Sequence, residues 1–303
     1  MGLDTRKNET VAVVVTYNRK DLLRQNLTCL LGQKDATCDI LLVDNASTDG
    51  TKEMIDSDFN DPRITYFNTG ANLGGAGGFH VGLYGAVTLG YKYAWIMDDD
   101  SLPSPTALSE LLKAGEKLGD WGFLSSAVYW TDGSLCKANR PKKDLFRHIG
   151  DEDLWGEQKQ VLMGSFVSML VPTEVIREVG LPIAEYFIWT DDYEFSGRIS
   201  KLHPCYFVPK SEVTHAMANN SRANIVTAEG ERAGRFKMLF RNDVHCYRQH
   251  GFMGWAYLLS KGGYTVADIA LHANDDKLGR IGTLINGYLV GLSFGPSVVR
   301  IEQ

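Results

Sequence analysis

Three adjacent carboxylates, Asp98-Asp99-Asp100, directly follow the apolar run 93–97. Residues i and i+2 of an extended segment share a side, so Asp98 and Asp100 can converge while Asp99 turns away. Neighbouring carboxylates at a buried strand end repel one another unless a cation or hydrogen-bond donors compensate. Hard oxygen ligands suit Mg²⁺ or Mn²⁺, which also bind diphosphate oxygens. The structural alternative is a solvated acidic turn capping the helix after Pro105; the apolar strand before the triplet favours the metal. A second acidic cluster stands in Phe187-Ile-Trp-Thr-Asp-Asp-Tyr-Glu-Phe195. Thr190 or Asp191 can cap the following helix, with Glu194 in its first turn. Capping accounts for one carboxylate but not for two in a row. Crowding Asp191, Asp192 and Glu194 is expected to raise at least one pKa, as a general base requires. Trp189 offers an apolar face of the kind that stacks on a sugar. His215 follows the run 206–209; a lone histidine is more often structural, but two Asp and one His make a workable Mn²⁺ set. Glycine-rich Asn72-Leu-Gly-Gly-Ala-Gly-Gly78 permits close backbone approach to a ligand at a helix N-terminus. His80 breaks the GxGxxG pattern and no Lys-Ser/Thr follows, so alone the segment reads as a tight strand-to-helix turn.

These residues need a scaffold that gathers them. Residues 10–15 (TVAVVV) read as a strand buried on both faces, and 20–31 as an amphipathic helix through Leu22, Leu23, Leu27, Leu30 and Leu31. Strands at 39–43, 64–68 and 93–97 alternate with a short helix opening near Thr51 and a helix from about Gly78 to Leu89. Such alternation implies right-handed crossovers and a mainly parallel sheet, with ligands at the carboxyl ends of the strands. Polar segments 16–19, 44–51, 72–78 and 98–100 all fall at those ends. Residues 129–160 read as an irregular insertion. Further strands are expected at 161–171 and 206–208, flanking a helix that begins near Thr190. After about Ala223 the pattern turns helical, with an apolar stripe through Phe236, Leu239, Phe240 and Tyr247. The expected organisation is an α/β domain over 1–223 and a helical region over 224–303.

Composition excludes several classes. The 303 residues are 44% hydrophobic and 22% charged, an ordinary globular profile. Thirty-one basic against 37 acidic residues give a net charge of −6, with no basic surplus for a nucleic acid backbone. That balance also disfavours purely electrostatic docking on anionic lipid. Five scattered cysteines form no CxxC pair and read as reduced thiols. The N-terminal segment lacks an apolar signal core, and Arg6 breaks the myristoylation pattern. Residues 281–299 are uncharged but carry Asn286, Pro296 and several glycines, a poor bilayer span. Gly287, Gly291 and Gly295 recur every four residues, giving a smooth helix face for close packing, either toward a membrane-proximal acceptor or on the chain's own domain or a second subunit.

In this order the segments Val14-Val-Thr-Tyr-Asn-Arg19, Leu42-Val-Asp-Asn-Ala-Ser-Thr-Asp49, Asn72–Gly78, Asp98–Asp100, Thr190-Asp-Asp-Tyr-Glu194 and His215 resemble the inverting GT-A glycosyltransferases of family 2. The resemblance spans about Val11 to His215. NLGGAGGF and MDDD look most like bacterial galactofuranosyltransferases, with rhamnosyltransferases next; Arg241-Asn242 after a helix also looks like their C-terminal region. The resemblance implies a Rossmann-like nucleotide-sugar fold with a mixed, mainly parallel sheet. It implies that Thr16 and Tyr17 border the base, that Asp44 hydrogen-bonds uracil, and that Asn72, Gly74 and Gly75 line the donor pocket with Asp99. Asp98, Asp100 and His215 would hold Mn²⁺ or Mg²⁺; Asp192 would be the catalytic base, with Asp191 and Trp189 on the acceptor. The galactofuranosyl pattern places Trp directly before the Asp pair, whereas here Thr190 intervenes, which leaves the acceptor open.

The implied reaction is a single inverting displacement, moving galactofuranose from UDP-galactofuranose to a hydroxyl of a glycan or lipid-linked glycan in cell-surface polysaccharide synthesis. The alternatives are rhamnose from dTDP-rhamnose, a sugar nucleotidyltransferase, and a non-catalytic nucleotide-sugar binding module. A nucleotidyltransferase would need a Gly/Lys/Arg-rich loop at 16–20, and a binding module would not need the Asp191-Asp192 pair. The expected setting is the cytoplasm, with peripheral attachment to the inner membrane face and self-association left open, and no nucleic acid partner.

Overall fold

The computed structural model describes residues 8–301. Gly2 and Arg6, on which the acylation reading turns, lie outside the described residues. Strand β1 (Thr10–Thr16) is buried along its whole length. Helix α1 (Lys20–Leu31) and strand β2 (Asp39–Asp44) follow, then α2 (Thr51–Asp58) and β3 (Ile64–Asn68). Next come α3 (Gly74–Thr88), β4 (Tyr93–Asp98), the short β5 (Ser101–Pro103), α4 (Ala107–Leu118) and β6 (Leu124–Trp130). An irregular stretch leads to β7 (Lys159–Gln160), β8 (Met169–Pro172), α5 (Thr173–Val179), α6 (Asp191–Ile199) and β9 (Tyr206–His215). Three helices close the chain: α7 (Gly230–Arg248), α8 (Gly251–His272) and α9 (Lys277–Ser293).

Among the described residues the strands form one sheet of nine, in the order β3-β2-β1-β4-β8-β6-β9-β5, with β7 on β9. β1 runs parallel to β2 and β4, whereas β8 is antiparallel to both of its neighbours. The continuous apolar reading of β1 has a direct cause. Val11, Val13 and Val15 face a core with Phe79 and Leu83 of α3, while Ala12 and Val14 face Leu23 and Leu27 of α1 on the other side. Helices thus cover both faces. Register pairs Thr16 with Asp44, Val15 with Asp98, and Asp44 with Asn68, so four strand ends reach one edge together.

Several expected elements differ, among them the strand expected over 206–208, which runs on to His215 as β9. The strand expected over 161–171 is reduced to β8; Gly164 packs tightly on Phe123 and Met169, and Ser168 sits at φ 92°, so extended pairing begins only at Met169. Helix α3 starts at Gly74 rather than Gly78, and Arg241-Asn242 lies within α7 rather than after it.

The C-terminal helices have their own core, with Phe236 and Phe240 of α7 against Ile269 of α8 and Leu284 of α9. The four-residue glycine spacing is explained for two of its members. A β-carbon on Gly287 would meet Phe240 Cβ at 2.5 Å, and one on Gly291 would meet Val244 Cβ at 2.6 Å. They let α9 lie close on α7, whereas Gly295 falls beyond the helix. No helix among the described residues is long and apolar enough to cross a membrane. All five cysteines are free thiols.

Candidate active site

The sheet brings Asp98, Asp100 and His215 together. β4 ends at Asp98, a tight turn carries Asp99 and Asp100, and β5 then pairs antiparallel with β9 so that Ser101 faces His215. Ligand atoms of Asp98, Asp100 and His215 lie within 4.8 Å of one another. The triplet is a turn beyond Asp98 and not an extended segment, and Arg19 draws the Asp99 and Asp100 carboxylates to one nitrogen. Asp99 accepts from the Thr16 hydroxyl at 2.7 Å and shares Arg19 Nη1, at 3.5 Å, with Asp100.

His215 is oriented from behind. Its Nδ1 lies 2.8 Å from Asn139 Oδ1, and Asn139 is itself fixed by donating to Ser165 Oγ at 3.1 Å. An amide oxygen only accepts, so Nδ1 carries the proton in this arrangement and Nε2 faces Asp100 Oδ1 at 3.0 Å. Two carboxylates and an imidazole held in the right tautomer by an outer partner fit a hard divalent cation of the Mn²⁺ or Mg²⁺ kind. Arg19 adds a salt bridge from Nη1 to Asp100 Oδ2 at 2.7 Å. Burial works against protonation of His215, but its hydrogen bond to Asp100 outweighs that and holds the imidazolium well above its ordinary range. Burial also pushes Asp98 up, helped by the charge of Asp100. Burial opposes ionisation of Asp100 too, and there His215 and Arg19 prevail and hold it low.

Asp191 and Asp192 open α6. Burial raises the pKa of Asp191, with the charge of Asp192 next. Burial likewise raises Asp192; the Tyr193 amide opposes this at 2.7 Å, and the charge of Asp98 adds to it. Asp192 is partly reached by solvent yet surrounded by protein, so it can meet a ligand while staying poorly solvated. Glu194 belongs elsewhere: it pairs with Arg198 at 2.7 Å inside the protein. The expected cap is absent. Thr190 occupies the cap position at φ 66°, but its hydroxyl donates to Asp243 Oδ1 at 3.0 Å. The Trp189 ring packs on Phe236 of α7, with centroids 5.0 Å apart.

On the donor side, Thr16 and Asp44 are buried at adjacent strand ends, and Tyr17 is exposed. Asp44 accepts from the Tyr66 hydroxyl at 2.6 Å and the Ser47 amide at 2.8 Å. Asn72 is exposed and accepts from the Gly74 amide at 2.9 Å. The glycines beyond it divide by role. Gly74, at φ +71°, presses on the carbonyl of Phe187 just before α6, and a β-carbon on Gly78 would meet Val15 Cγ1 at 2.5 Å. Gly75 has open space before it. Gly74 and Gly78 therefore have protein backbone and strand as their partners, whereas Gly75 does not.

Sequence reasoning missed Arg19 as a partner of the triplet, Tyr66, Asn139 and Asp243. Arg19 stood inside a quoted motif and could have been found. The other three meet the site only through tertiary contacts.

Known proteins bear on this geometry. The family model described as glycosyl transferase family 2 matches residues 11–169. Galactofuranosyltransferase GlfT1 of Mycolicibacterium smegmatis is 27% identical over 229 residues, covering 66% of this chain and 72% of the relative. The N-acetylglucosaminyl-diphospho-decaprenol L-rhamnosyltransferase of Mycobacterium tuberculosis is 25% identical over 236 residues, covering 69% and 76%. Among solved structures, GalNAc-T7 with UDP, GalNAc and Mn²⁺ superposes with a TM-score of 0.61 at 14% identity, over 92% of this chain and 54% of that one. Staphylococcus aureus TarS 1-349 gives 0.56 at 13% identity, over 92% and 71%. At such identities the structures speak for the fold alone, a GT-A-like α/β architecture with a C-terminal helical region. With more than half of its length matched by the family model, the chain belongs to glycosyl transferase family 2.

Proposed function

We propose that this glycosyltransferase transfers galactofuranose from UDP-galactofuranose, with inversion, to a hydroxyl of a glycan or lipid-linked glycan. The observation that carries the reading is the gathering of Asp98, Asp100 and His215 at the strand ends, with ligand atoms within 4.8 Å of one another. At the start of α6, burial raises the pKa of Asp192, and the charge of Asp98 adds to it. A proton acceptor beside a cation-binding cluster is what a single displacement needs.

In this reading Thr16, Tyr17, Asp44, Asn72 and Gly75 receive the nucleotide and sugar along the strand ends. Asp98, Asp100 and His215 would hold Mn²⁺ or Mg²⁺, which would supply charge neutralisation for a diphosphate leaving group. Asp192 takes the proton of the acceptor hydroxyl as that oxygen bonds to the anomeric carbon and the bond to the diphosphate oxygen breaks on the opposite face. Asp191, beside it, holds the acceptor. Residues 1–223 form the catalytic part and 224–303 the helical part. The enzyme works at the inner face of the cell membrane. The rhamnosyltransferase relative, nearly as similar as the galactofuranosyltransferases, supports dTDP-rhamnose as a second reading.

A donor panel read by release of UDP or dTDP, with Mn²⁺, Mg²⁺ or chelator, tests this. UDP release from UDP-galactofuranose that needs a divalent cation, and that disappears in Asp98→Ala, is expected. Release of dTDP alone would move the donor to rhamnose, and pyrophosphate release from a nucleoside triphosphate would remove the transferase reading.

A further inference from the structure

The segment just before the carboxylate pair is strained and held from outside. Phe187, Trp189 and Thr190 all adopt left-handed φ near +65°, a conformation that bulky and β-branched residues seldom take without external support. Every carbonyl from Glu185 to Trp189 has a partner beyond the segment. Asn242 of α7, fully buried, donates from Nδ2 toward the carbonyls of Tyr186 (3.1 Å), Ile188 (3.0 Å) and Trp189 (2.9 Å). Arg241 donates to the Glu185 carbonyl at 2.7 Å. The Phe187 carbonyl accepts from the Ala76 amide in the first turn of α3 at 3.2 Å. Asp243 then accepts from the Thr190 hydroxyl at 3.0 Å and from Lys261 of α8 at 2.6 Å, with the carboxylate buried.

We propose that Asn242 and Asp243 are positioning residues of the transfer reaction: α7 clasps the strained loop 185–190 and thereby sets where Asp191 and Asp192 stand relative to the acceptor. This deepens the proposed function and rests on it. One side-chain NH2 group shares its two N–H donors among three carbonyls that face one point. A carboxylate there would set oxygen against oxygen, so Asn and Asp are not interchangeable at 242. The C-terminal helices thereby act on turnover and not only on stability. Through the Phe187 carbonyl, the glycine-rich start of α3 braces the same loop from the donor side. This gives the close approach at Gly74 a purpose that no phosphate contact requires.

The test compares Asn242→Asp with wild type by steady-state kinetics, calorimetry of UDP with Mn²⁺, and amide exchange of residues 185–192. A misplaced base should lower kcat by about 100-fold, with UDP affinity and the donor KM changed less than about threefold. Exchange in 185–192 should quicken. A folded Asn242→Asp with unchanged kcat and unchanged exchange overturns the proposal, and so does a loss of UDP affinity that parallels the loss of turnover. If Asn242→Asp does not fold, Thr190→Val, which removes one hydroxyl and keeps the β-branch, decides in its place. It should lower kcat while Thr190→Ser restores it; wild-type kcat in Thr190→Val overturns the clasp. If wild type releases no nucleotide from any donor, the functional reading fails, and the exchange measurement alone then judges whether the clasp holds the loop.

Discussion

In the proposed reaction Asp192 must be basic enough to take a proton while sitting where a charge is poorly solvated. These demands share one physical origin, because burial raises the carboxylate's proton affinity and disfavours its ionised form in the fold. Activity and stability should therefore move in opposite directions in Asp192→Asn. Turnover is expected to fall by about 10²–10⁴-fold, the usual contribution of a general base, while UDP binding with Mn²⁺ persists. The folded-state pKa lies above the unfolded value of 3.8, so the penalty for ionised Asp192 is present above the folded pKa and fades as pH falls toward 3.8. In chelator, Asp192→Asn should melt at or above the wild-type temperature at pH 8, with the gap closing by pH 4. Wild-type kcat/KM should lose activity on the acid side at a pH above the ordinary carboxylate range. A variant with wild-type turnover, or an acid limb near 3.8, removes Asp192 from the role. The candidate acids and His215 were legible in the sequence because their chemistry resides in residue type and short spacing. Asn139 was not, and Asn242 stood out only through the resemblance, since an asparagine in an insertion or a helix acquires its structural meaning from partners more than 50 residues away.

Among the elements, periodicity sufficed where each one is governed by its own burial pattern. Helix α1 and strand β3 fall on their expected residues, because the alternation of apolar positions in the one and β-branched and aromatic content in the other match the surfaces they bury. Helix α3 defeated the same logic at its start. Glycine is a poor helix former, so four glycines in the first turns argue for a loop. Tertiary packing overrides this: Gly78 allows the helix to lie directly on Val15, while Gly75 touches nothing. The two positions should respond in opposite ways to the same added methyl group. Gly78→Ala forces a contact of 2.5 Å with Val15 in the core and should cost about 1–3 kcal/mol. Gly75→Ala should leave stability unchanged or raise it by up to about 1 kcal/mol, and should weaken UDP binding if Gly75 lines the donor pocket. Denaturant melts and calorimetry on the pair separate the effects. Equal stability for both variants would mean that α3 does not depend on this close approach to β1.

At the scale of the whole molecule, exposed apolar surface is concentrated at one end of the chain. Of the 19 large apolar side chains exposed among the described residues, 12 lie between Phe252 and Val299. No exposed residue from Gly251 to Leu271 of α8, or from Leu278 to Ser293 of α9, carries a formal charge. Phe252 and Leu259 stand seven residues apart, on one face of α8, at 84% and 72% exposure. A face of this kind, with Trp255 and Tyr264 beside it, suits the boundary between headgroups and acyl chains, where aromatic residues are favoured. A chain of net charge −6 gains little from anionic lipid, so attachment here should be driven by apolar burial. That distinguishes it from electrostatic docking. The protein should float with neutral phosphatidylcholine vesicles, and the floating fraction should hold as salt is raised, since screening acts on charge and not on apolar contact. Replacing Phe252 and Leu259 by Ser should remove about 3–6 kcal/mol of burial and abolish flotation, while leaving UDP release from a soluble acceptor intact. Wild type that fails to float, or a double variant that floats equally well, would sink the membrane assignment. A concentration-dependent dimer in sedimentation, lost in the same double variant, would give the face to a second copy of the chain instead.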